Sequence, residues 1–488
     1  MIIVYLLLGI YTLGMLFIFV YSLAQGHLLF NFLKSRRKKE IIPPDPVQWP
    51  KVTVQLPVFN EIYVVERLIA ATSLINYPQE LLQIQILDDS TDDTAALILN
   101  KIKDFPEIDF QYLYRGDRSG FKAGALKEGL EKASGDFIAI FDADFVPDPD
   151  FLKKTIPYFS SEKIGMVQTR WTHLNENYSL LTKLQAFALD AHFLIEQIGR
   201  NTQHAFINFN GTGGIWRKSC ILDAGNWHDD TLTEDLDLSY RAQRKGWKFV
   251  YRREIESPAE LPPIMSAVKS QQFRWTKGGA ECAAKHASEV LKQDLPLSTK
   301  FHAMAHLFNS TIFIAVIMVS LSSIGVWLAA QKGLIPTQLF YLAGLFMIGF
   351  VIIAAVYLVA FFYEKKGFWR SFFQGLYILP LFLSVSMGLA LHNAQAVWEG
   401  LSGKKSPFIR TPKFNLEGGK TGLNSNLYLT GKIPVTTWFE GLFALIFGAM
   451  VFVSIQVGTF GMLPFHLMLT IGYSLVFITS FKAYGLGK

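Results

Sequence analysis

Two places in the sequence set a pair of carboxylates directly after a strand-like run: Asp88-Asp89 follows 84–87, and Asp142-Ala-Asp144 follows 137–141. In an extended segment residues i and i+2 point the same way, so Asp142 and Asp144 can face one ligand together. Two carboxylates held that close repel unless a cation or a proton intervenes. Their oxygens suit Mg²⁺ or Mn²⁺, ions that also bridge to phosphate. A lone D-x-D is common at surface turns; a second acidic pair at another strand end is what gives this one weight.

Two further clusters carry chemistry. Thr233-Glu234-Asp235 closes an acidic run that starts at Asp229, with Thr233 placed to cap a helix over 234–245. In Gln271-Gln272-Phe273-Arg274-Trp275, Gln271, Arg274 and Trp275 are spaced i, i+3, i+4 and share one helix face. An indole there can stack on a sugar ring, while Gln and Arg bind hydroxyl or diphosphate oxygens. The stretch 115–127, RGDRSGFKAGALK, sets four basic groups among three glycines ahead of a helix, an arrangement open to an anionic ligand. Neither the P-loop pattern nor the dinucleotide fingerprint G-x-G-x-x-G is present, which argues against a kinase or a dehydrogenase.

The elements that must position these groups read as an α/β block over 45–295. Strands are expected at 52–56, 84–87, 108–114 and 137–141, and helices at 66–74 and 123–132. Ligands in open α/β sheets collect beyond the carboxyl ends of the strands, where the acidic pairs fall. The chain has 488 residues, of which 50% are hydrophobic. Residues 1–30 are almost wholly apolar and lead into Lys34, Arg36, Arg37, Lys38 and Lys39, the pattern of an uncleaved signal anchor whose basic cluster stays in the cytosol. Apolar runs at 303–330, 338–362, 371–392, 434–457 and 461–480 are each long enough for a hydrocarbon core of about 30 Å. The net charge of +6 flanks these runs with no nucleic-acid motif beside it, so membrane lipids rather than nucleic acid are the expected partner. Two cysteines, Cys220 and Cys282, read as free core thiols.

In order along the chain, Asp88-Asp89, Asp142-Ala-Asp144, Thr233-Glu234-Asp235 and Gln271 to Trp275 resemble the D, DxD, TED and QxxRW motifs of processive family 2 glycosyltransferases, the cellulose synthase superfamily. QTRW at 168–171, LDAHFLIEQ at 189–197, HAFINFNGTGGIWR at 204–217, GWKFVY at 246–251 and SPAELP at 257–262 look like plant cellulose-synthase-like groups that make mannan, glucomannan and xyloglucan backbones. FIRTPK at 408–413 resembles the FxVTxK gating loop of bacterial cellulose synthase, with Arg410 where that motif has Val.

The resemblance implies a GT-A type nucleotide-sugar-binding domain inserted between an N-terminal transmembrane helix, 1–30, and a C-terminal bundle. The bundle comprises 301–393 and 434–482, with the gating loop at 398–433 between them. It further implies an inverting transfer that uses UDP-glucose or GDP-mannose with Mg²⁺ or Mn²⁺ and extends a β-1,4-linked glucan or (gluco)mannan. Asp235 is the implied base. Asp142 and Asp144 hold the metal. Asp88 or Asp89, with Asp89 favoured, meets the nucleobase and ribose, while Lys122, Arg118, Gln271, Arg274, Thr411 and Lys413 contact the donor. Trp275, Glu234, Gly211 and Thr212 belong to the acceptor side, with softer roles there for His204, Asn208 and Asn210; His306 and His392 are structural. A growing polysaccharide is the expected acceptor and a glycolipid the alternative, with a homo-oligomer or export subunits as further partners. If the run 371–392 crossed the membrane, the gating loop would fall on the wrong side. The expectation is that it does not fully cross, or continues as an interfacial helix through Trp398.

Overall fold

The computed structural model describes residues 1–36, 42–336, 338–365, 368–416 and 433–485. Seven strands build one sheet: β1 (Val52–Val58), β2 (Leu82–Asp88), β3 (Phe110–Tyr114), β4 (Phe137–Ile140), β5 (Ile164–His173), β6 (Gly214–Arg217) and β7 (Lys248–Ala259), in the order β3-β2-β1-β4-β6-β5-β7. β1 pairs in parallel with β2 and β4, β2 with β3, and β5 with β7, whereas β6 runs antiparallel to both β4 and β5. The first four strands stand close to where the sequence places them. β5, β6 and β7 complete the sheet.

Alternation along the strands divides the core in two. Ile138 and Ile140 of β4 face a cluster with Trp216, Phe249 and Tyr251, while Phe137, Ala139 and Phe141 face another with Val54, Leu56, Ile84 and Ile86. Buried on the first face is a ladder of polar side chains: Thr53 donates to Gln83 at 2.8 Å, Gln55 to Gln85 at 3.0 Å and Gln85 to Gln111 at 2.8 Å. Each amide thus makes at least one hydrogen bond, which offsets part of the cost of burying it, while Gln55 Oε1 has no partner. This topology brings the carboxyl ends of six parallel strands, and the amino end of β6, to one edge.

Among the described residues six helices are long and apolar enough to cross a membrane: Ile2–Ser35, Asn309–Gln331, Phe346–Tyr363, Trp369–Gly388, Val435–Val457 and Leu463–Ala483. The first extends past the expected end at 30 and docks on the α/β block, where Gln25 Nε2 donates to Glu196 Oε1 at 2.8 Å. Phe187 of helix Leu180–Ala191 packs its ring against Tyr357, Phe361 and Phe382, joining the block to the C-terminal bundle. The third apolar run splits at Leu389 into helices Phe368–Gly388 and Ala390–Leu401, the second running through Trp398. Just ahead of it Lys365 pairs with Glu176 at 2.7 Å, and near its end Glu399 faces Lys277 at 3.8 Å. The pair of helices therefore begins and ends against the α/β block. Helix Met265–Lys292 carries the QQFRW face and is tied to the bundle by a buried ion pair, Lys269 to Glu440 at 2.7 Å. Both cysteines are free and buried.

Candidate active site

Two adjoining cavities open at the carboxyl edge of the sheet and share Lys122, Asp142, Asp144, Arg274, Phe408 and Lys413. Asp142 and Asp144 leave the end of β4 as expected. Lys122, in the first turn of helix Phe121–Lys132, donates to Asp142 Oδ1 at 2.6 Å and to the Gly211 carbonyl at 2.9 Å. Its Nζ also lies 3.8 Å from Glu234 Oε1. Lys413 reaches Asp144 Oδ1 at 2.7 Å.

Asp235 sits at the start of helix Glu234–Arg244 and lines the first cavity with Glu234, Gln271 and Trp275. Gly211 closes on it from the segment ahead of β6 at φ +80°, a backbone conformation open mainly to glycine. A Cβ there would fall 3.1 Å from Asp235 Oδ2. Burial, reinforced by the charge on Glu234, pushes the Asp235 carboxyl up to about 7, against the pull of Lys122. Burial also raises Glu234. For Lys122 burial works downward, but the charges of Asp142, Glu234 and Asp235 prevail and its ammonium ends above its usual range.

Thr233 occupies the N-cap position of helix Glu234–Arg244 without giving a side-chain cap; its hydroxyl meets Cys282 Sγ at 3.5 Å instead. The helix dipole is met by three acids in its first turn, Glu234, Asp235 and Asp237. Thr212 also departs from its expected place beside the acceptor. It is buried, and its hydroxyl accepts from the Asp142 N–H at 2.9 Å, which fixes the turn after β4. Of the softer candidates Asn210 lines the cavity, whereas His204 is exposed on the surface and Asn208 stands outside it. His306 bonds to the Tyr240 hydroxyl and His392 to the Lys269 carbonyl, both at 3.0 Å.

Between the two acids after β2 the structure separates the roles. Asp88, the last residue of β2, is fully buried and accepts from the Ser90 N–H at 2.8 Å and the Tyr112 hydroxyl at 2.7 Å, so it braces the loop and faces no cavity. Asp89 lines the second cavity and is gripped by both arms of Arg115, at 2.7 and 2.5 Å. Burial raises the Asp89 carboxyl, against the opposing charge of Arg115. Arg118 lies 3.4 Å above the Phe59 ring, a cation–π contact at the same cavity.

The segment 404–416 covers the site; of the loop region 398–433, residues 417–432 lie outside the described residues. Arg274 donates to the Ile409 carbonyl and to Thr411 Oγ1, the latter at 2.9 Å, with its guanidinium 4.8 Å from the Phe408 ring. Lys277, one turn further along the same helix, binds the Lys404 carbonyl and Ser406. Burial draws the Arg274 guanidinium down to about 10 even with Asp142 and Glu234 near it.

Three cavity residues escaped the sequence reading of single sites. Glu61 and Glu260 follow the carboxyl ends of β1 and β7, and Trp171 lies near the end of β5. Glu260 accepts from the Phe414 N–H at 3.0 Å and so pins the covering segment. Trp171 stands 6.5 Å from Trp275, ring to ring, in the first cavity. Asp142 and Asp144 present carboxylate oxygens to the cavity, the donor type a hard divalent cation takes, and each holds an ammonium where such an ion's charge would fall. His228, Asp230 and Asp237 also group within 4.8 Å. There Arg241, Lys285 and His286 already occupy the Asp237 carboxylate at 2.7 to 2.8 Å, so this group braces two helices.

A mixed α/β sheet with a metal-suited acidic pair at its edge, a buried carboxylate beside it and a covering loop has a GT-A-like architecture. Residues 50–278 match the sequence model of the family described as Glycosyltransferase like family 2. Over that region, just under half of the chain, it is similar to this family, and it is related to plant glucomannan mannosyltransferases. It is 44% identical over 268 residues to a probable glucomannan 4-beta-mannosyltransferase of Oryza sativa, covering 53% of this chain and 49% of that protein. To a glucomannan 4-beta-mannosyltransferase of Arabidopsis thaliana it is 38% identical over 296 residues, 59% and 53% of the two chains. The chain thus spans about half the length of the curated relatives it matches. A mannosyltransferase from Pyrobaculum calidifontis, solved with GDP-Man and Mn²⁺, shares the fold at a TM-score of 0.53 and 16% identity over 80% of this chain and 100% of that one.

Proposed function

We propose that the chain is an inverting, metal-dependent, processive glycosyltransferase that adds mannose, or mannose and glucose, from GDP-mannose or UDP-glucose to a β-1,4-linked (gluco)mannan. The names of the curated relatives favour mannose. The observation that carries the reading is Lys122, whose ammonium touches Asp142 on the donor side and the Gly211 carbonyl beside Asp235 on the other. The base and the diphosphate site are thereby one side chain apart. Asp142 and Asp144 would hold a divalent cation, which when bound would neutralise charge on the leaving diphosphate.

In this reading Asp235 takes the proton from the acceptor hydroxyl as it attacks the anomeric carbon, and a single displacement needs only that one base. Arg274, Gln271 and Lys413 meet the diphosphate oxygens, and Thr411 aligns Arg274. Trp275 and Trp171 offer indole faces to the acceptor sugars, and Asn210 and Glu234 offer hydrogen bonds. Fixed donors around a dry diphosphate site stabilise the departing charge without reorganising. Asp89, held by Arg115, faces the ribose and base.

The catalytic block belongs in the cytosol, supported by Lys34 and Arg36 at the end of the first helix and by the supply of nucleotide sugars there. Helices Phe368–Gly388 and Ala390–Leu401 lie along the membrane face without crossing, a reading supported by Lys365 and Glu399 meeting the block at either end. Five crossings then remain, and the bundle is the exit path of the polymer. The test is product formation by the purified full chain in detergent with Mg²⁺ or Mn²⁺, offered GDP-mannose and UDP-glucose separately, with Asp235→Asn as control. A polymer from GDP-mannose, alone or together with UDP-glucose, lost in the control, supports the reading; a polymer from UDP-glucose alone overturns mannose as the sugar, a single sugar on co-purified lipid overturns processivity, and no transfer from either donor overturns the whole.

A further inference from the structure

The residue at which the covering loop departs from the FxVTxK pattern, Arg410, turns into the second cavity. Its Nη1 lies 3.0 Å from Glu61 Oε2, with the two side chains only 13% and 9% exposed. Asp89 in the same cavity has both oxygens engaged by Arg115, and the covering loop sends one cation, Lys413, to Asp144 and a second, Arg410, to Glu61. Beside the pair, Arg118 stacked on Phe59 makes a flat surface suited to a heterocyclic ring. Lys413, three residues after Arg410, is at Asp144, so the loop reaches up to about 10 Å from the diphosphate site to this pair.

We propose that Arg410 and Glu61 read the nucleobase of the donor and select guanine over uracil, an inference that rests on the nucleotide-sugar reading above. Guanine sets two donors side by side, N1–H and the 2-amino group, which one carboxylate accepts together. It also sets two acceptors side by side, O6 and N7, the pair that an arginine fork binds. Uracil offers a single N3–H between two carbonyl oxygens, so a carboxylate that meets the N–H brings its second oxygen against a carbonyl. A valine at 410 would supply no such fork. The cation and carboxylate that pair with each other in this structure are the two groups that the guanine edge would engage. Burial pushes the Glu61 carboxyl up to about 7 even with Arg410 and Lys413 beside it, and a pair of N–H donors facing it would favour the ionised form.

The experiment is calorimetric binding of GDP and UDP, each with Mn²⁺, to the full chain in detergent, for the unsubstituted protein, Arg410→Val, Arg410→Lys and Glu61→Gln. The unsubstituted chain is expected to bind GDP at least tenfold more tightly than UDP. Arg410→Val and Glu61→Gln each bring the ratio to within about threefold, chiefly by weakening GDP. Arg410→Lys, which keeps the charge but not the fork, fails to restore the ratio. Each substitution reads the ratio on its own, so the failure of one to fold does not remove the test. An equal loss of GDP and UDP, restored by Lys, makes the pair a simple latch and overturns base selection, as does a preference for UDP in the unsubstituted chain; both leave the glycosyltransferase reading standing. Binding of neither nucleotide by the unsubstituted chain overturns that reading as well.

Discussion

Lowering the pH should switch this enzyme off near neutrality, well above the usual range of a carboxylate. Asp235 has an ordinary value of 3.8, and burial together with the charge of Glu234 pushes it up to about 7. A base must be ionised to accept a proton, so activity is lost as the pH falls through that value and is complete above it. At pH 6 roughly one molecule in ten carries the ionised form, so kcat/KM should rise about tenfold between pH 6 and pH 8. A carboxylate at 3.8 would give a flat profile over that interval. Because Glu234 raises the value and Lys122 lowers it, Glu234→Gln should move the midpoint down and Lys122→Met should move it up. The assay is initial incorporation of labelled sugar into polymer at saturating Mg²⁺ and subsaturating donor, from pH 5 to 8.5. A profile flat across this interval, or a midpoint that rises in Glu234→Gln, would refute the assignment of the base and its environment.

Gly211→Ala should cost at least tenfold in kcat with little loss of donor affinity, since its Cβ crowds Asp235 Oδ2 at 3.1 Å while the backbone is held at φ +80°; steady-state kinetics against donor concentration check this. Arg274→Ala should release the covering segment from Ile409 and Thr411, and limited proteolysis should then cut within 404–416 faster than in the parent protein. Asp237→Ala leaves Arg241, Lys285 and His286 around an empty position and should destabilise the catalytic block by about 3 kcal/mol, read as a lower thermal midpoint in detergent.

The acids at the ends of β2 and β4 were legible because a strand-like run followed by paired carboxylates is a local signal. The choice between Asp88 and Asp89 was not, since it depends on where β2 ends: Asp88 still belongs to the strand and turns into Tyr112, and Asp89 lies just beyond. Glu61 and Glu260 follow β1 and β7 as Asp142 follows β4, but each stands without a second acid beside it. The same strand-end rule applied to every parallel strand would have found both. β6 has four residues and β7 carries five charged ones, so neither gave a strong apolar alternation. Thr212 reads as a polar residue in a glycine-rich turn, and only the packing shows its hydroxyl committed to the Asp142 amide. The turn of the third apolar run back toward the catalytic block rests on Lys365 and Glu399, contacts between residues far apart in the chain.

Helix Met265–Lys292 is a single uninterrupted rod joining the two halves of the molecule. Lys269 anchors it to the bundle, and five residues later, about 7.5 Å along the axis, Arg274 holds the covering loop. Glu440 of helix Val435–Val457 and Thr411 of the covering segment are therefore both fastened to this one helix, within two turns of each other. On the proposed reading, the loop over the donor and the path of the polymer would be held by one and the same helix.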